Sequence, residues 1–312
     1  MQQVPAPVVD IHCHLFDQVS SVGIDLSRLP QWARADVYLD AGSAGAASFH
    51  SFADWARRAG DMELGEVYGL VNVAEFGLDR TPEITEPEHF QPERAVEAAM
   101  RHPDVARGLK VRAVQPAVRL LGMTLFERTV QAAAQADLPI MVHFGEQSGE
   151  AIDDDMLSAD ILSLLRPGDI AAHIYTGQPG GFFRDERVMK ATRKARERGV
   201  LFDIGHGRFN FSMSAARHGM SHGFAPDFIS SDVTSGTAGW LNLPYVMAAM
   251  CAAGMSEAAV IDAVTRAPSA WLKPRTTSRR HIVVQQKPAR QSDSMGFGYE
   301  CAIGFRTEAA IL

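Results

Sequence analysis

Val8-Val9-Asp10-Ile11-His12-Cys13-His14-Leu15 is the stretch of sequence that decides the fold. Its β-branched residues alternate with polar ones, a pattern that predicts a β-strand. Because side chains alternate between the two faces of a strand, Asp10, His12 and His14 are expected on one face. The other face is expected to pack Ile11, Cys13 and Leu15. Two imidazoles two residues apart can hold one metal ion, but this spacing alone is a weak signal, so its interpretation depends on the rest of the chain.

The chain beyond this strand alternates apolar runs with helical stretches. Strands joined by helical crossovers form parallel sheets, and eight such units in about 270 residues match the size of a closed (β/α)₈ barrel. The alternative is an open doubly wound sheet, which predicts a glycine-rich phosphate turn after the first strand, and no such turn follows it. The fold prediction is therefore an α/β TIM barrel over residues 1–272, with strands at 8–15, 35–42, 66–74, 105–114, 138–145, 169–177, 200–207 and 228–236.

Residues 273–312 differ in charge and in hydrophobic pattern from the rest of the chain. They include seven basic and three acidic residues, a net charge of +4, and only 281–284 and, more weakly, 301–305 have a strand-like pattern. We predict a basic tail or the remnant of a small β-sandwich domain, which leaves an incomplete C-terminal β segment beside the barrel.

Composition excludes several classes of protein. The chain has 312 residues, 46% of them hydrophobic, and a net charge of −7, so it lacks the basic footprint of a nucleic-acid-binding protein. No apolar run is long enough to span a membrane, and the first residues do not have the pattern of a signal peptide. Three widely spaced cysteines argue against a disulfide framework. These features predict a cytoplasmic protein with no nucleic-acid or membrane partner, and they leave a homo-oligomer open.

Polar residues lie near the ends of the predicted strands, where a barrel places its active site. A polar side chain in an apolar run is costly unless it is paired or ligated. Each one alone has an ordinary explanation, because a single histidine is more often a satisfied core residue, a lysine an ion-pair partner and an aspartate a helix cap. Six of them, all on strands that a barrel would bring together, indicate a site, and these are His12, His14, Lys110, His143, His173 and Asp232.

This set resembles the ligand set of the amidohydrolase superfamily, in both the residue types and their order along the strands. The resemblance covers residues 8–272. Within the superfamily, the chain is similar to a dihydroorotase-like group of amidohydrolases and deacetylases. The stretches that carry this similarity are 40–45 (DAGSAG), 108–112 (GLKVR) and 196–207 (RERGVLFDIGHG).

The resemblance implies a binuclear metal centre, most often of zinc. The more buried ion then takes His12, His14 and Asp232, and the other takes His143 and His173. Lys110, carbamylated by CO₂, bridges the two ions together with a hydroxide, because carbamylation converts a cationic amine into an anionic oxygen ligand.

The expected chemistry is hydrolysis of an amide or ester by a metal-bound hydroxide, which two divalent ions make available near neutral pH. Asp232 is the expected catalytic residue, because it takes the hydroxide proton and delivers it to the leaving group. The first hypothesis is a deacylase of small N-acyl or O-acyl carboxylic acids, with a small molecule as substrate. A cyclic-amide hydrolase of the dihydroorotase or hydantoinase type is the second. A non-catalytic scaffold is the third, disfavoured because all six ligand residues are present.

Substrate recognition is expected in the loops that follow the strands, at Arg112, Tyr175 and His206, with Thr176 and Arg208 as further candidates. Arg112 lies two residues after Lys110, so it could bind a substrate carboxylate bidentately or form a salt bridge to a neighbouring loop. His206 could donate to the substrate or be merely solvated.

Three aspartates near strand ends have less specific expectations. Asp10 either orients one of the two histidines or caps backbone amides. Asp40 and Asp203 are expected to be structural.

Position 16 separates the first two hypotheses. Dihydroorotases resemble the pattern DxHxHxR, in which an arginine two residues beyond the second histidine binds the substrate carboxylate. This chain has Phe16 there, which offers no donor. We therefore expect poor turnover of dihydroorotate and an apolar substrate group beside Phe16.

Overall fold

Seven parallel strands form one sheet in which each strand lies beside the next one along the chain. The computed structural model describes residues 6–16, 20–61, 64–147 and 154–310. Parallel neighbours in sequence order, joined by mostly helical crossovers, are the arrangement of a TIM barrel, and the predicted fold class is confirmed. The strands are β1 (Val9–Cys13), β2 (Val37–Asp40), β3 (Glu66–Asn72), β4 (Ala106–Arg112), β5 (Ile140–His143), β6 (Ile170–Ala172) and β7 (Leu201–Asp203).

Helices pack on the outer face of this sheet, as the contacts of the first of them with β3 show. Polar N-caps begin several of them: Asp185, Ser212 and Asn242 each accept a hydrogen bond from a main-chain N–H of the first turn. None of the described helices is long and apolar enough to cross a membrane. The helices are α1 (Phe49–Asp61), α2 (Pro92–Arg101), α3 (Ala117–Leu121), α4 (Thr124–Gln135), α5 (Asp154–Leu164), α6 (Glu186–Glu197), α7 (Met213–Ser221), α8 (Leu243–Ala253), α9 (Glu257–Ala263) and α10 (Arg266–Leu272).

Residues 228–233 close the ring between β7 and β1. On the β7 side, the N–H of Ile204 donates to the carbonyl of Phe228 at 3.2 Å. On the β1 side, the N–H of Asp232 donates to the carbonyl of His12 at 2.7 Å. The eighth strand predicted at 228–236 is thus in its expected place, but it is not a regular strand, because Asp232 adopts a φ of 49°, outside the extended region.

The apolar core has two layers. Their residues show that the alternation expected along β1 is wrong at the end of the strand. The inner layer, within the ring, is formed by alternate strand residues such as Val9, Val37, Leu39, Leu70, Met141 and Ile170. Ile11 belongs to this inner layer, whereas Cys13 and Leu15 belong to the outer layer beneath the helices. The register of β1 against β2 shifts between Asp10 and Cys13, so strict alternation fails at the end of the strand that carries the histidines.

The C-terminal residues form four short strands, where the sequence pattern predicted one and a weaker second. They are β8 (Arg280–Gln285), β9 (Ala289–Ser292), β10 (Gly298–Cys301) and β11 (Gly304–Ala309). β8 pairs with β11 and β9 with β10, both antiparallel. β10 and β11 contact α8 of the barrel. The division into a barrel at 1–272 and a sandwich remnant at 273–312 stays a prediction.

The turn between β9 and β10 contacts the loop that follows β7. The N–H of Ser294 donates to the carbonyl of Phe211 at 2.9 Å, and the N–H of Met213 donates to Asp293 Oδ2 at 2.8 Å. Ser294 Oγ also donates to the carbonyl of Gly207 at 3.3 Å. The C-terminal hairpin therefore holds the loop 207–213 in place on the barrel.

Candidate metal centre

Three buried side chains converge at the C-terminal end of the barrel strands. The Nε2 atoms of His12 and His14 lie 3.7 Å and 3.3 Å from Asp232 Oδ1, and ligand atoms of all three residues lie within 4.8 Å of one another. The main-chain bond from Asp232 to His12 sets this separation. Two imidazole nitrogens and a carboxylate oxygen are a donor set that binds zinc.

Each of the two imidazoles is held through its other ring nitrogen. His12 Nδ1 lies 2.8 Å from Asp203 Oδ2, and His14 Nδ1 lies 3.0 Å from Ser43 Oγ, which itself donates to Asp40 Oδ2 at 2.8 Å. A Nδ1–H that donates to an oxygen leaves Nε2 as the free ligand atom. Asp40 and Asp203, expected to be structural, therefore orient the two candidate ligands.

A second pair of imidazoles lies beside the first group. His143 Nδ1 and His173 Nε2 face each other at 2.7 Å. The remaining nitrogens face main-chain carbonyls, His143 Nε2 that of Gly145 at 3.2 Å and His173 Nδ1 that of Gly205 at 2.7 Å. The two nitrogens that face each other are thus the ones left to bind a ligand.

Lys110 joins the two groups. Its Nζ lies 3.4 Å from His12 Nε2 and 3.2 Å from Met141 Sδ, and the residue is 1% exposed. No carboxylate of the described residues forms a salt bridge with it. Burial lowers the pKa of Lys110 to about 7, although the negative charges of Asp232 and Asp203 oppose this effect. A neutral amine is the form that can react with CO₂.

Burial also sets the protonation of the histidines. It lowers the pKa of His12 and of His143 well below the ordinary value and that of His173 to about 3. Burial alone would raise the pKa of Asp232, but the neighbouring imidazoles outweigh it and hold that pKa below its usual value. Neutral imidazoles and an ionised carboxylate are the forms that bind a metal, so the protonation states fit the donor set.

Two of the candidate ligands lie on left-handed backbone. His173 has a φ of 67° and Asp232 a φ of 49°, a conformation that costs a residue with a Cβ about 1–3 kcal/mol. Gly207 allows the main chain to pass close to Asp232, because a Cβ at position 207 would lie 2.1 Å from Asp232 Oδ2. Strain and close approach of this kind cluster at functional sites.

A pocket of about 320 Å³ opens onto the site. Arg112 lies in its wall, where Nη1 contacts Glu83 Oε2 at 3.1 Å and Nη2 donates to Gln147 Oε1 at 2.8 Å. The salt-bridge alternative for Arg112 is therefore the observed arrangement. Arg208 also lines the pocket and has no carboxylate partner among the described residues. The other lining residues are His12, His14, Val22, Leu78, Thr81, Lys110, His143, Phe209, Asn210, Asp232, Thr234, Ser235 and Gly236.

Three sequence-based candidates for substrate binding do not line this pocket. Tyr175 is fully buried and its hydroxyl donates to the carbonyl of Phe224. His206 is fully buried against Phe211, with ring centroids 4.5 Å apart, and burial lowers its pKa to about 4. Thr176 is 2% exposed. Side chains that point from strand ends into the outer packing cannot reach a substrate.

Phe16 differs from its expected role, whereas Asp10 takes the second of its two expected roles, that of a cap. Phe16 is fully buried with its ring 5.5 Å from that of Phe52, so it offers no surface to a substrate. Asp10 accepts hydrogen bonds from the N–H and Oγ of Ser231, at 3.0 Å and 2.5 Å. It caps the closing segment rather than a histidine, and burial raises its pKa to about 7.

The sequence interpretation missed three residues of the pocket region, Glu83, Gln147 and Asn210. Asn210 Nδ2 donates to Asp232 Oδ2 at 3.1 Å. The available signal was their place in loops that follow or connect predicted strands, and polar residues in such loops are too common to single out.

Comparison with known proteins gives relatives named as deacetylases. No protein-family profile matches the chain. Deacetylases from Agrobacterium fabrum and Brucella anthropi are each 26% identical over 268 residues, which is 85% of this chain and 64% and 65% of theirs. A deacetylase from Enterococcus faecalis is 26% identical over 272 residues, 85% of this chain and 71% of its own. The chain thus spans less than two thirds of the length of the first two relatives.

Solved structures with the same fold include a dihydroorotase and an adenine deaminase. The dihydroorotase is 25% identical with a TM-score of 0.85, over 98% of this chain and 86% of that one. The adenine deaminase is 23% identical with a TM-score of 0.86, over 97% and 83% of the two chains. The second likeness concerns the fold alone.

Proposed function

We propose that this chain is a metal-dependent hydrolase of the amidohydrolase superfamily, and that it removes the acyl group from small N-acyl or O-acyl carboxylic acids. The observation that carries the proposal is the buried group of His12, His14 and Asp232, whose ligand atoms lie within 4.8 Å. Curated relatives named as deacetylases support the reaction class. The convergence of His12, His14 and Asp232 favours an enzyme over the scaffold hypothesis.

We propose two divalent ions, and we assign them as zinc because the donor set is rich in nitrogen. His12, His14 and Asp232 would hold one ion, and His143 and His173 the other. Lys110 would bridge them after carbamylation, which its buried and partly neutral amine favours. When bound, such ions lower the pKa of a shared water and polarise the scissile carbonyl.

The remaining steps belong to residues of the chain. Asp232 directs Oδ1 at the two imidazoles and Oδ2 at Asn210, so Oδ2 is the oxygen that would accept the proton of the attacking water and pass it to the leaving nitrogen or oxygen. Asp203 and Ser43 keep the rings of His12 and His14 in a fixed orientation while the proton moves. The pocket volume of about 320 Å³ limits the substrate to a small molecule.

The charge of the pocket wall supports an anionic substrate. Glu83, which is buried, neutralises one edge of Arg112, whereas Arg208 is not paired with a described carboxylate. We assign the substrate carboxylate to Arg208, with Arg112 as a second contact. Val22 and Leu78 provide apolar wall for the rest of the substrate.

Hydrolysis assays on zinc-loaded protein test the proposal. The panel should contain N-acetyl amino acids and O-acetyl hydroxy acids, their uncharged amide counterparts, dihydroorotate and hydantoin. We expect acyl release from the anionic acyl substrates and its loss in Asp232→Asn. A kcat/KM for dihydroorotate above that for every acyl substrate would replace the deacylase with the cyclic-amide hydrolase.

A further inference from the structure

A continuous chain of hydrogen bonds crosses the barrel mouth from the end of β4 to the closing segment. Arg112 Nη2 donates to Gln147 Oε1 at 2.8 Å, Gln147 Nε2 donates to Asn210 Oδ1 at 3.1 Å, and Asn210 Nδ2 donates to Asp232 Oδ2 at 3.1 Å. The four residues come from four different strand ends, so only the closed ring brings them together.

The direction of this chain is fixed by its two ends. A guanidinium can only donate and a carboxylate can only accept, so the two amides between them have one arrangement in which every contact is a hydrogen bond. Each amide must accept on the side of Arg112 and donate on the side of Asp232. Glu83 fixes the position of Arg112, the first residue of this hydrogen-bond chain, through its contact with the guanidinium at 3.1 Å.

Asn210 is well placed to fix the last contact. It is 2% exposed, and its loop is held by the main-chain bond from Ser294 to Phe211. A carboxylate oxygen has two lone-pair directions, and the donation from Asn210 occupies one of them at Asp232 Oδ2. The other direction is then oriented, and Oδ1 stays turned toward His12 and His14.

We propose that Asn210 is a positioning residue for Asp232, and that Arg112 and Gln147 act on Asp232 through it. This inference rests on the proposed function, because it gives Asp232 its place in the metal centre. Arg112 then serves the site mainly through this chain, and only its remaining donors are available to a substrate.

Two nearly isosteric substitutions interrupt the hydrogen-bond chain at different points. Asn210→Leu removes the donor to Asp232. Gln147→Glu keeps an acceptor for Arg112 but accepts on both sides, so Asn210 must turn its amide and present an oxygen to Asp232. Asn242→Leu is the matched control, since Asn242 is also a buried asparagine and caps α8 without touching the site.

Zinc affinity, kcat and KM are measured for all three variants and for the double variant Asn210→Leu/Gln147→Glu. We expect Asn210→Leu to weaken zinc binding or lower kcat by about 10- to 100-fold, the usual effect of losing a partner that orients a ligand, with KM nearly unchanged. Gln147→Glu should act in the same direction, and the double variant should be no worse than Asn210→Leu alone. The control should lose stability only.

Two results would overturn the inference. One is wild-type zinc affinity and kcat in Asn210→Leu. The other is an effect of Gln147→Glu that persists in full on the Asn210→Leu background, which would mean that its added charge acts directly. If the wild-type protein hydrolyses nothing in the panel, the proposed function fails, and zinc affinity alone still decides the role of Asn210.

Discussion

Asp203 shows how one contact changes the role of a residue at a strand end. Its Oδ2 faces His12 Nδ1 at 2.8 Å, while its Oδ1 accepts a hydrogen bond from Ser230 Oγ at 2.6 Å. Both carboxylate oxygens are therefore engaged, and the side chain cannot turn away from the imidazole. A charged acceptor on Nδ1 also makes the opposite nitrogen a stronger ligand.

At this residue scale, we predict that Asp203→Asn weakens zinc binding or activity by about 10- to 100-fold, because the acceptor on His12 loses its charge. Competition with a coloured chelator measures the affinity. Asp169→Asn is the control, since Asp169 is equally buried but accepts from the N–H of Ile140, where β5 begins. Equal zinc affinities in the two variants would contradict the orienting role of Asp203.

The residue types that bind metal could be identified from the sequence, but their supporting contacts could not. The ligand candidates stand out because histidine, lysine and aspartate are costly in apolar strands. Phe16 and Tyr175 were expected near a substrate because they follow such strands, yet both are fully buried in packing with other rings. Position along a strand predicts which end a residue occupies, not which neighbours fill the space beside it.

At the scale of elements, the apolar runs predicted the seven regular strands of the ring. The irregular pieces escaped the pattern, because strand alternation assumes an unbroken ladder. The register shift after Asp10 and the left-handed Asp232 both depart from it. β9 and β10 were also missed, because β9 is mostly exposed and β10 has only two buried residues, Tyr299 and Cys301, which are too few to form a pattern. Departures from regular structure therefore coincide with the site that needs special geometry.

Glu66, the first residue of β3, anchors the segment that leaves α10. It accepts hydrogen bonds from the N–H of Thr276 at 2.9 Å, from Arg275 Nε at 2.8 Å and from the hydroxyl of Tyr68. Burial alone would raise the pKa of Glu66, but these donors outweigh it and lower the pKa below 4.5. The pKa of Glu66 is therefore lower in the folded protein than in the unfolded chain. The stabilisation is fully present above the unfolded-state pKa and is lost as the pH falls through the folded-state pKa.

We predict that Glu66→Gln lowers the free energy of unfolding at neutral pH by about 1–2 kcal/mol, a value reduced for the exposure of Arg275. Urea unfolding at neutral pH and at a pH below 4.5 measures the difference. The two proteins should approach each other in stability on the acid side. A gap that widens as the pH falls would show that the Glu66 charge does not stabilise the fold.

At the scale of the whole molecule, the candidate ligands come from around the ring, on β1, β4, β5, the end of β6 and the closing segment. An ion held by His12, His14 and Asp232 would link the first strand to the closing segment. A ligand that binds only the folded protein adds about 2.7 kcal/mol of stability when its concentration is 100 times its Kd. Metal binding should therefore stabilise the closed ring.

We predict that the Tm rises with zinc concentration and falls on treatment with a chelator. Differential scanning fluorimetry across a zinc series measures the shift. Asp232→Asn should show a much smaller shift, because it removes the charged ligand that the closing segment would give to the ion. A chelator-insensitive Tm in wild-type protein with bound zinc would contradict this linkage.

The C-terminal hairpin has a consequence for how such proteins diversify. Its turn bonds directly to the loop 207–213, through Asp293 and Ser294, and that loop carries Asn210. The hairpin and the barrel mouth thus depend on each other structurally, although Met213 and Asp293 are 80 residues apart in sequence. A chimera that takes its hairpin from a relative must take the matching loop as well, because recombination between the two would pair a turn with a partner that evolved for another.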